Sequence, residues 1–314
     1  MSKIDRVLRS NLKLRHLQLL VALDQFRHLG RAAEFLAVTQ PAVSKTLAEV
    51  ERMLGMVLFE RSTRGTEPTA AGVSMVRFAR SVLAGFERTR DEMAAEASGA
   101  RGRTSVGAMV VATPVLLAQA VARLKDRSAQ STVLVEEGDL TRLLPKLRLG
   151  ELDLFVGRLE PGYAAPDLET EALFDEPMVA VVRPGHALLA PGAAHWQALA
   201  DQPCVLPPPW ASLRVKLEQQ FYAHGLHPPA DIVETASFLS QLTFVHQRGA
   251  VAFMARSVAR HHAALGTLAV LDLAVPIELP PVGLITLRGQ PPTPTTGLLL
   301  ECLREVAATL RAGD

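Results

Sequence analysis

Apolar positions follow a helical period through most of the N-terminal third of the chain. Beyond it they alternate between strand-like and helical runs. Leu17, Leu20 and Val21 line one side of a predicted helix over Leu14–Gln25. In residues 29–48, Ala33 and Leu36 lie one turn apart, and Val43 and Leu47 lie four apart. That spacing predicts two short helices packed across a tight corner. Ala33 is small enough for the backbones to cross closely. Pro41 suits the first turn of the second helix, where its missing N–H leaves no bond unmade. Residues 54–72 then give an apolar half-strand, a basic turn tip and a return, which predicts a β-hairpin. From Thr69 to about Ser98 there is no proline, and Met75, Ala79, Val82, Phe86, Met93 and Ala97 recur at steps of three, four or seven. A solitary helix of that length has nothing to bury its stripe against. We therefore expect it to pair with a second copy, with Val82 and Phe86 central in the seam, rather than with its own C-terminal half. Gly99–Arg103 reads as a hinge.

The remainder alternates strands and helices. Strands are predicted over Thr104–Met109, Thr132–Glu136 and Leu152–Val156, the last ending at Gly157. Helices are predicted over Pro114–Arg127 and Leu140–Leu149. This βαβαβ rhythm implies a parallel sheet with helices on its faces. A second set runs from Pro177–Val182 to Val251–Met254, with helices near Ser212–His224 and Ser237–Gln247. Val282–Leu287 and a final helix Thr295–Arg311 return to the first lobe.

At the start of the second short helix the outward residues are Gln40, Pro41, Ser44 and Lys45. Amide, hydroxyl and ammonium groups there suit base edges and phosphates in a major groove. Arg61 and Arg64 at the hairpin suit phosphates or a minor groove, and Arg31 at the start of the first short helix suits a phosphate. The reading is a winged helix-turn-helix that contacts double-stranded DNA. An ordinary pair of packed helices would not need two guanidinium groups on the adjoining hairpin.

The runs Arg31-Ala32-Ala33-Glu34-Phe35-Leu36, Thr39-Gln40-Pro41-Ala42-Val43-Ser44, Glu49-Val50-Glu51, Leu54-Gly55, Leu58-Phe59-Glu60-Arg61 and Pro68-Thr69-Ala70-Ala71-Gly72 resemble the N-terminal domain of LysR-type transcriptional regulators. Length and layout extend the resemblance over nearly the whole chain. Residues 1–12 precede the usual start. With Leu14-Arg15-His16-Leu17-Gln18, they are similar to the branch that holds regulators of aromatic-acid catabolism and of sugar-binding-protein genes. The resemblance implies an α/β protein with three parts. These are a DNA-binding domain at 1–68, a linker and dimerisation helix at 69–98, and an effector domain at 103–314 resembling periplasmic binding proteins. Lobe I of that domain takes about 103–174 and 280–314, and lobe II about 175–279. It also implies an interrupted inverted repeat as target, a dimer that goes on to a tetramer, and RNA polymerase as a partner.

Charge agrees with this division. Residues 1–68 carry 11 Lys and Arg against 7 Asp and Glu, whereas the chain as a whole is near neutral at +1. Two cysteines, Cys204 and Cys302, suit a reducing cytoplasm rather than a disulfide scaffold. No apolar run reaches membrane-spanning length. Ser10 with Lys13 matches a nucleophile pattern but lacks companion motifs, and His224, His227, His246, His261 and His262 lack Cys or acidic partners at metal spacing. No enzyme activity, metal or cofactor is expected. A small organic-acid inducer is expected between the lobes, at residues that follow the strands: Val111, Ala112, Thr113, Asp139 and Arg158 on one side, and Trp210, Ser212, Ser237 and Phe238 on the other. Thr113, Ser212 and Ser237 serve equally well as plain helix caps, and Arg158 pairs either with a ligand carboxylate or with Asp139. The contrasting functions are an inducer-independent architectural protein and, more remotely, an enzyme built on a binding-protein fold.

Overall fold

The computed structural model describes residues 3–62, 65–98, 102–209 and 211–312. The chain divides into two compact units, Met1–Arg103 with Leu144–Asp153, and Thr104–Leu143 with Leu154–Asp314.

The first unit begins with α1 (Lys3–Arg6), a π-helical turn (Val7–Asn11) and α2 (Leu14–Phe26). Then come α3 (Leu29–Phe35), α4 (Gln40–Leu54), the antiparallel hairpin β1 (Phe59–Ser62) and β2 (Gly65–Pro68), and α5 (Ala70–Ser98). Leu20, Leu23, Ala32, Ala33, Val43, Leu47 and Leu58 form its core, which Met75, Val76 and Ala79 of α5 complete. The first turns of the long helix therefore bury their stripe within the same chain. Val82, expected at the centre of an interchain seam, packs partly against this core, while Phe86 and Met93 stand 49% and 66% exposed. The segment ahead of Leu12 also contributes, inserting Val7 into the same core. Gly72 is required by a close approach, because a Cβ there would lie 2.0 Å from the Leu58 carbonyl oxygen.

The rest of the chain, in the second unit apart from Arg103 and Leu144–Asp153, runs β3 (Arg103–Ala108), a π-helical turn (Thr113–Leu117), α6 (Ala118–Arg127), β4 (Thr132–Glu137), α7 (Leu140–Leu149), β5 (Leu154–Arg158), β6 (Leu168–Phe174) and β7 (Met178–Val182). It continues with α8 (Trp196–Ala200), β8 (Cys204–Leu206), α9 (Ser212–Ala223), β9 (Ile232–Glu234), α10 (Phe238–Arg248) and β10 (Val251–Ala255). The last elements are α11 (Arg256–Ala264), β11 (Ala269–Val270), β12 (Val282–Leu287) and α12 (Pro294–Ala312). One sheet has the order β4-β3-β5-β12-β6 and the other β11-β7-β10-β8-β9. Neither is wholly parallel, which corrects the simple βαβ expectation. β3 and β5 are parallel, but β12 returns from the second sheet and inserts antiparallel between β5 and β6. Pairing of Val282 with Arg158 also carries β5 past Gly157, where the strand was expected to end. α12 closes the first sheet through Leu299, Cys302, Leu303 and Val306.

Candidate DNA-binding face and lobe junction

Residues at the start of α4 are placed by caps and stripes rather than by chance exposure. Thr39 caps the helix by accepting from the Ala42 N–H at 3.4 Å, and Pro41 falls in the first turn. Val43 and Leu47 point into the core, which leaves Gln40, Pro41 and Lys45 exposed on the opposite side. His28, which sequence reasoning missed, caps α3 by accepting from the Gly30 and Arg31 N–H groups at 3.0 and 3.3 Å. This cap fixes the helix start that carries exposed Arg31.

The hairpin is tied to α4 by two contacts. Glu51 accepts from the Leu58 and Phe59 N–H groups at 2.8 and 3.1 Å. Arg61 donates to the Ser44 hydroxyl oxygen at 2.9 Å. Sequence reasoning placed Ser44 and Arg61 on one face but did not foresee their bond. Ser44 still has a proton to donate, so the pair presents a guanidinium and an O–H side by side. Arg64 lies outside the described residues.

In the second unit the predicted effector residues part company. Val111 packs against an apolar cluster that holds Val115 of the first lobe with Val181, Met254 and Val258 of the second, and Phe238 and Leu242 pack on the same cluster. Val111 and Phe238 thus border the same cluster. Ser212, exposed at the first residue of α9, donates to Glu160 at 3.2 Å across the junction. Glu160 was not foreseen, although it stands two residues beyond Arg158.

Other positions depart from the expectation. Ala112 is fully buried in the first lobe's core, because its N–H closes a turn onto Met109 and folds it inward. Thr113 spends its hydroxyl on the Met109 carbonyl at 3.2 Å. Ser237 is the plain cap of α10, accepting from the Ser240 N–H at 3.3 Å. Asp139 caps the start of α7: the Thr141 hydroxyl and the Arg142 N–H hold its carboxyl below the usual carboxylate range. Arg158 is the clearest correction. It is only 6% exposed and donates to the Pro280 and Glu176 carbonyls at 2.8 and 2.7 Å, so it ties together the segments just before β12 and just before β7 rather than pairing with Asp139. Burial draws its pKa down, while Glu176 and Glu160 offset this. Trp210 lies outside the described residues.

With this geometry in view, comparison with known proteins decides the family. Residues 14–73 match the bacterial regulatory helix-turn-helix protein of the lysR family, and residues 97–308 match the LysR substrate binding domain. The chain belongs to the LysR family of transcriptional regulators. It is 34% identical over 305 residues to the HTH-type transcriptional regulator GbpR of Azospirillum brasilense, covering 96% of this chain and 89% of that protein. It is 32% identical over 302 residues to PcaQ of Agrobacterium fabrum, covering 96% and 97%. Its fold is similar to the crystal structure of CbnR, a LysR family transcriptional regulator, with a TM-score of 0.70 and 22% identity over 94% of this chain and 99% of that one. The LysR protein is accordingly a DNA-binding regulator with a substrate-binding domain, and its relatives are regulators rather than enzymes. Among the described residues no helix is long and apolar enough to cross a membrane.

Proposed function

We propose that this LysR protein reads DNA through Gln40, Pro41, Ser44 and Lys45 in the major groove. Arg61 and Arg64 lie along the adjoining backbone, and Arg31 holds a phosphate. The observation that carries the reading is the exposed start of α4, with the Arg61–Ser44 pair beside it. The protein acts as a dimer through the exposed apolar side of α5, including Phe86 and Met93, and assembles further to a tetramer. Two-fold symmetry then calls for an interrupted inverted repeat with half-sites about one helical turn apart. It works in the cytoplasm together with RNA polymerase, where the buried thiols of Cys204 and Cys302 stay reduced.

Its effector is a small organic acid with an apolar body, bound at the lobe junction. Val111, Phe238 and Leu242 supply apolar surface there. Arg158 is already committed, and Asp139 and Glu160 are acidic. The acid group is therefore received by N–H groups at Thr113 and Ser212, two helical starts without a side-chain cap. The test is a thermal-shift panel of carboxylic acids, each beside its neutral amide, repeated on Thr113→Asp and Ser212→Asp, whose side-chain carboxylates repel an acid from those N–H groups. Stabilisation by an acid but not its amide, diminished in both variants, is expected. A hit undiminished in both places the site elsewhere, and no hit at all favours the architectural alternative.

A further inference from the structure

We propose that a chain of ion pairs running from Glu151 to Glu67 sets the position of the DNA-binding hairpin, and that Arg27, Asp24, Arg80 and Glu151 are positioning residues for it. All five belong to the first unit. Arg27 ends α2 with a left-handed φ of 50°, a conformation that glycine adopts more easily than arginine. Its contacts hold it there. The Arg27 carbonyl accepts from the Thr66 N–H of β2 at 2.9 Å, and its guanidinium pairs with Glu67 of β2. A Cβ at Gly65 would lie 2.7 Å from the same carbonyl, so the strand is seated directly on this residue.

The guanidinium of Arg27 also pairs with Asp24 Oδ1 at 2.8 Å, while Asp24 Oδ2 is taken by Arg80 of α5 at 3.1 Å. Arg80 turns its other terminal nitrogen to Glu151 at 3.1 Å. Asp24, Arg80 and Glu151 are between 20% and 30% exposed at the side chain, so the middle of the chain is less screened than a surface pair. Asp24 is a shared carboxylate, with one oxygen taken by each arginine. With Glu151 in place Arg80 divides itself between two acids. Without Glu151 both its nitrogens fall to Asp24, where a bidentate fork competes with Arg27. Arg27 then keeps only the Asp24 backbone carbonyl, to which its Nε donates at 2.6 Å, as a helix-side anchor, and the strand seated on it loosens. Glu151 stands just beyond α7, whose first turn is capped by Asp139.

The inference rests on the hairpin being the DNA-contacting wing, but its test uses no DNA and fails separately from that reading. Hydrogen–deuterium exchange is measured on the full-length protein, with peptides covering residues 59–68 compared with those of α3 and α4. Glu151→Gln, nearly isosteric, should speed exchange in the wing by about three- to fivefold and leave α3 and α4 at wild-type protection. Adding Arg80→Gln to Glu151→Gln removes the competitor for Asp24 and should return the wing toward wild-type exchange. A merely structural role predicts the reverse, a double variant looser than the single. Wild-type wing exchange in Glu151→Gln, acceleration spread evenly over the unit, or a double variant looser than the single would each overturn the proposal.

Discussion

At the scale of single residues, what mattered was whether a polar group had a local partner. Gln40 and Lys45 were legible as an outward face because the apolar stripe of α4 leaves them no inward alternative. Arg158 was not legible: its strand looks the same in sequence whether the guanidinium meets a ligand or two crossing carbonyls. Replacing Gln40 with Ala should relax preference at one base pair, by roughly 1–3 kcal/mol if the amide grips adenine in a bidentate way. Replacing Arg61 with Gln should instead weaken binding across all sequences, lower the salt slope by about one unit, and leave Ser44 unpaired. Selection of bound sequences from a random duplex library, followed by a salt titration, separates the two effects. Identical selected motifs for wild type and Gln40→Ala would show that another residue reads that position.

His16 gives a pH prediction at the same scale. It is fully buried, its Nδ1 accepts from the Lys13 N–H at 3.2 Å, and its Nε2 finds no hydrogen-bond partner. Burial therefore pushes its pKa below 6.5, against a smaller upward pull from Glu49 and further small downward ones from Arg15 and Lys13. The folded form holds the neutral ring, whereas the unfolded chain takes up a proton near the ordinary value. The stability linked to this group is thus complete above about pH 6.5 and lost as pH falls from there through the depressed folded value. The urea midpoint should drop between about pH 7.5 and pH 5.5, and His16→Gln should flatten that dependence. An unchanged pH profile in the variant would assign the titration to a different group.

At the scale of elements, periodicity carried the helices of the first unit because each buries a single face. It carried less in the second unit, where β8 and β9 span three residues each and went unpredicted. β6 was missed as well, since its interior positions Glu169, Thr170 and Glu171 are polar and remain at least partly exposed. The π-helical turn at Thr113–Leu117 was read as ordinary helix, because the spacing of Val115, Leu116 and Leu117 does not reveal how tightly the chain is wound. Gly72 shows what a motif encodes at this level. It closes the Pro68–Gly72 run not for flexibility but because α5 starts against the Leu58 carbonyl. Gly72→Ala must displace backbone, and should lower stability by roughly 3 kcal/mol. A urea midpoint within error of wild type would mean that the helix start can shift freely.

At the scale of the whole molecule, the sequence made clear that a DNA-binding head is followed by two α/β lobes, because charge, period and motif all change together. It did not reveal how α5 divides its apolar surface. Met75, Val76 and Ala79 complete the head of their own chain, and the stripe continues beyond them to Phe86 and Met93, which stay largely exposed. Large exposed side chains in continuation of a core stripe call for a second copy of the same helix. The seam we propose is thus centred further along α5 than the spacing alone suggested, past Val82. Phe86→Asp places a carboxylate where an apolar seam would have to desolvate it without a counter-ion, which is costly. Val73→Asp, on an exposed residue near the start of α5, should have little effect on assembly. Sedimentation at micromolar concentration should therefore find wild type and Val73→Asp as dimers or tetramers, and Phe86→Asp shifted toward monomer with its thermal melt largely retained. Assembly unaffected by Phe86→Asp, or a monomeric wild type, would remove α5 as the dimerisation helix. The DNA-reading face would then have to find its second half-site through the effector lobes alone.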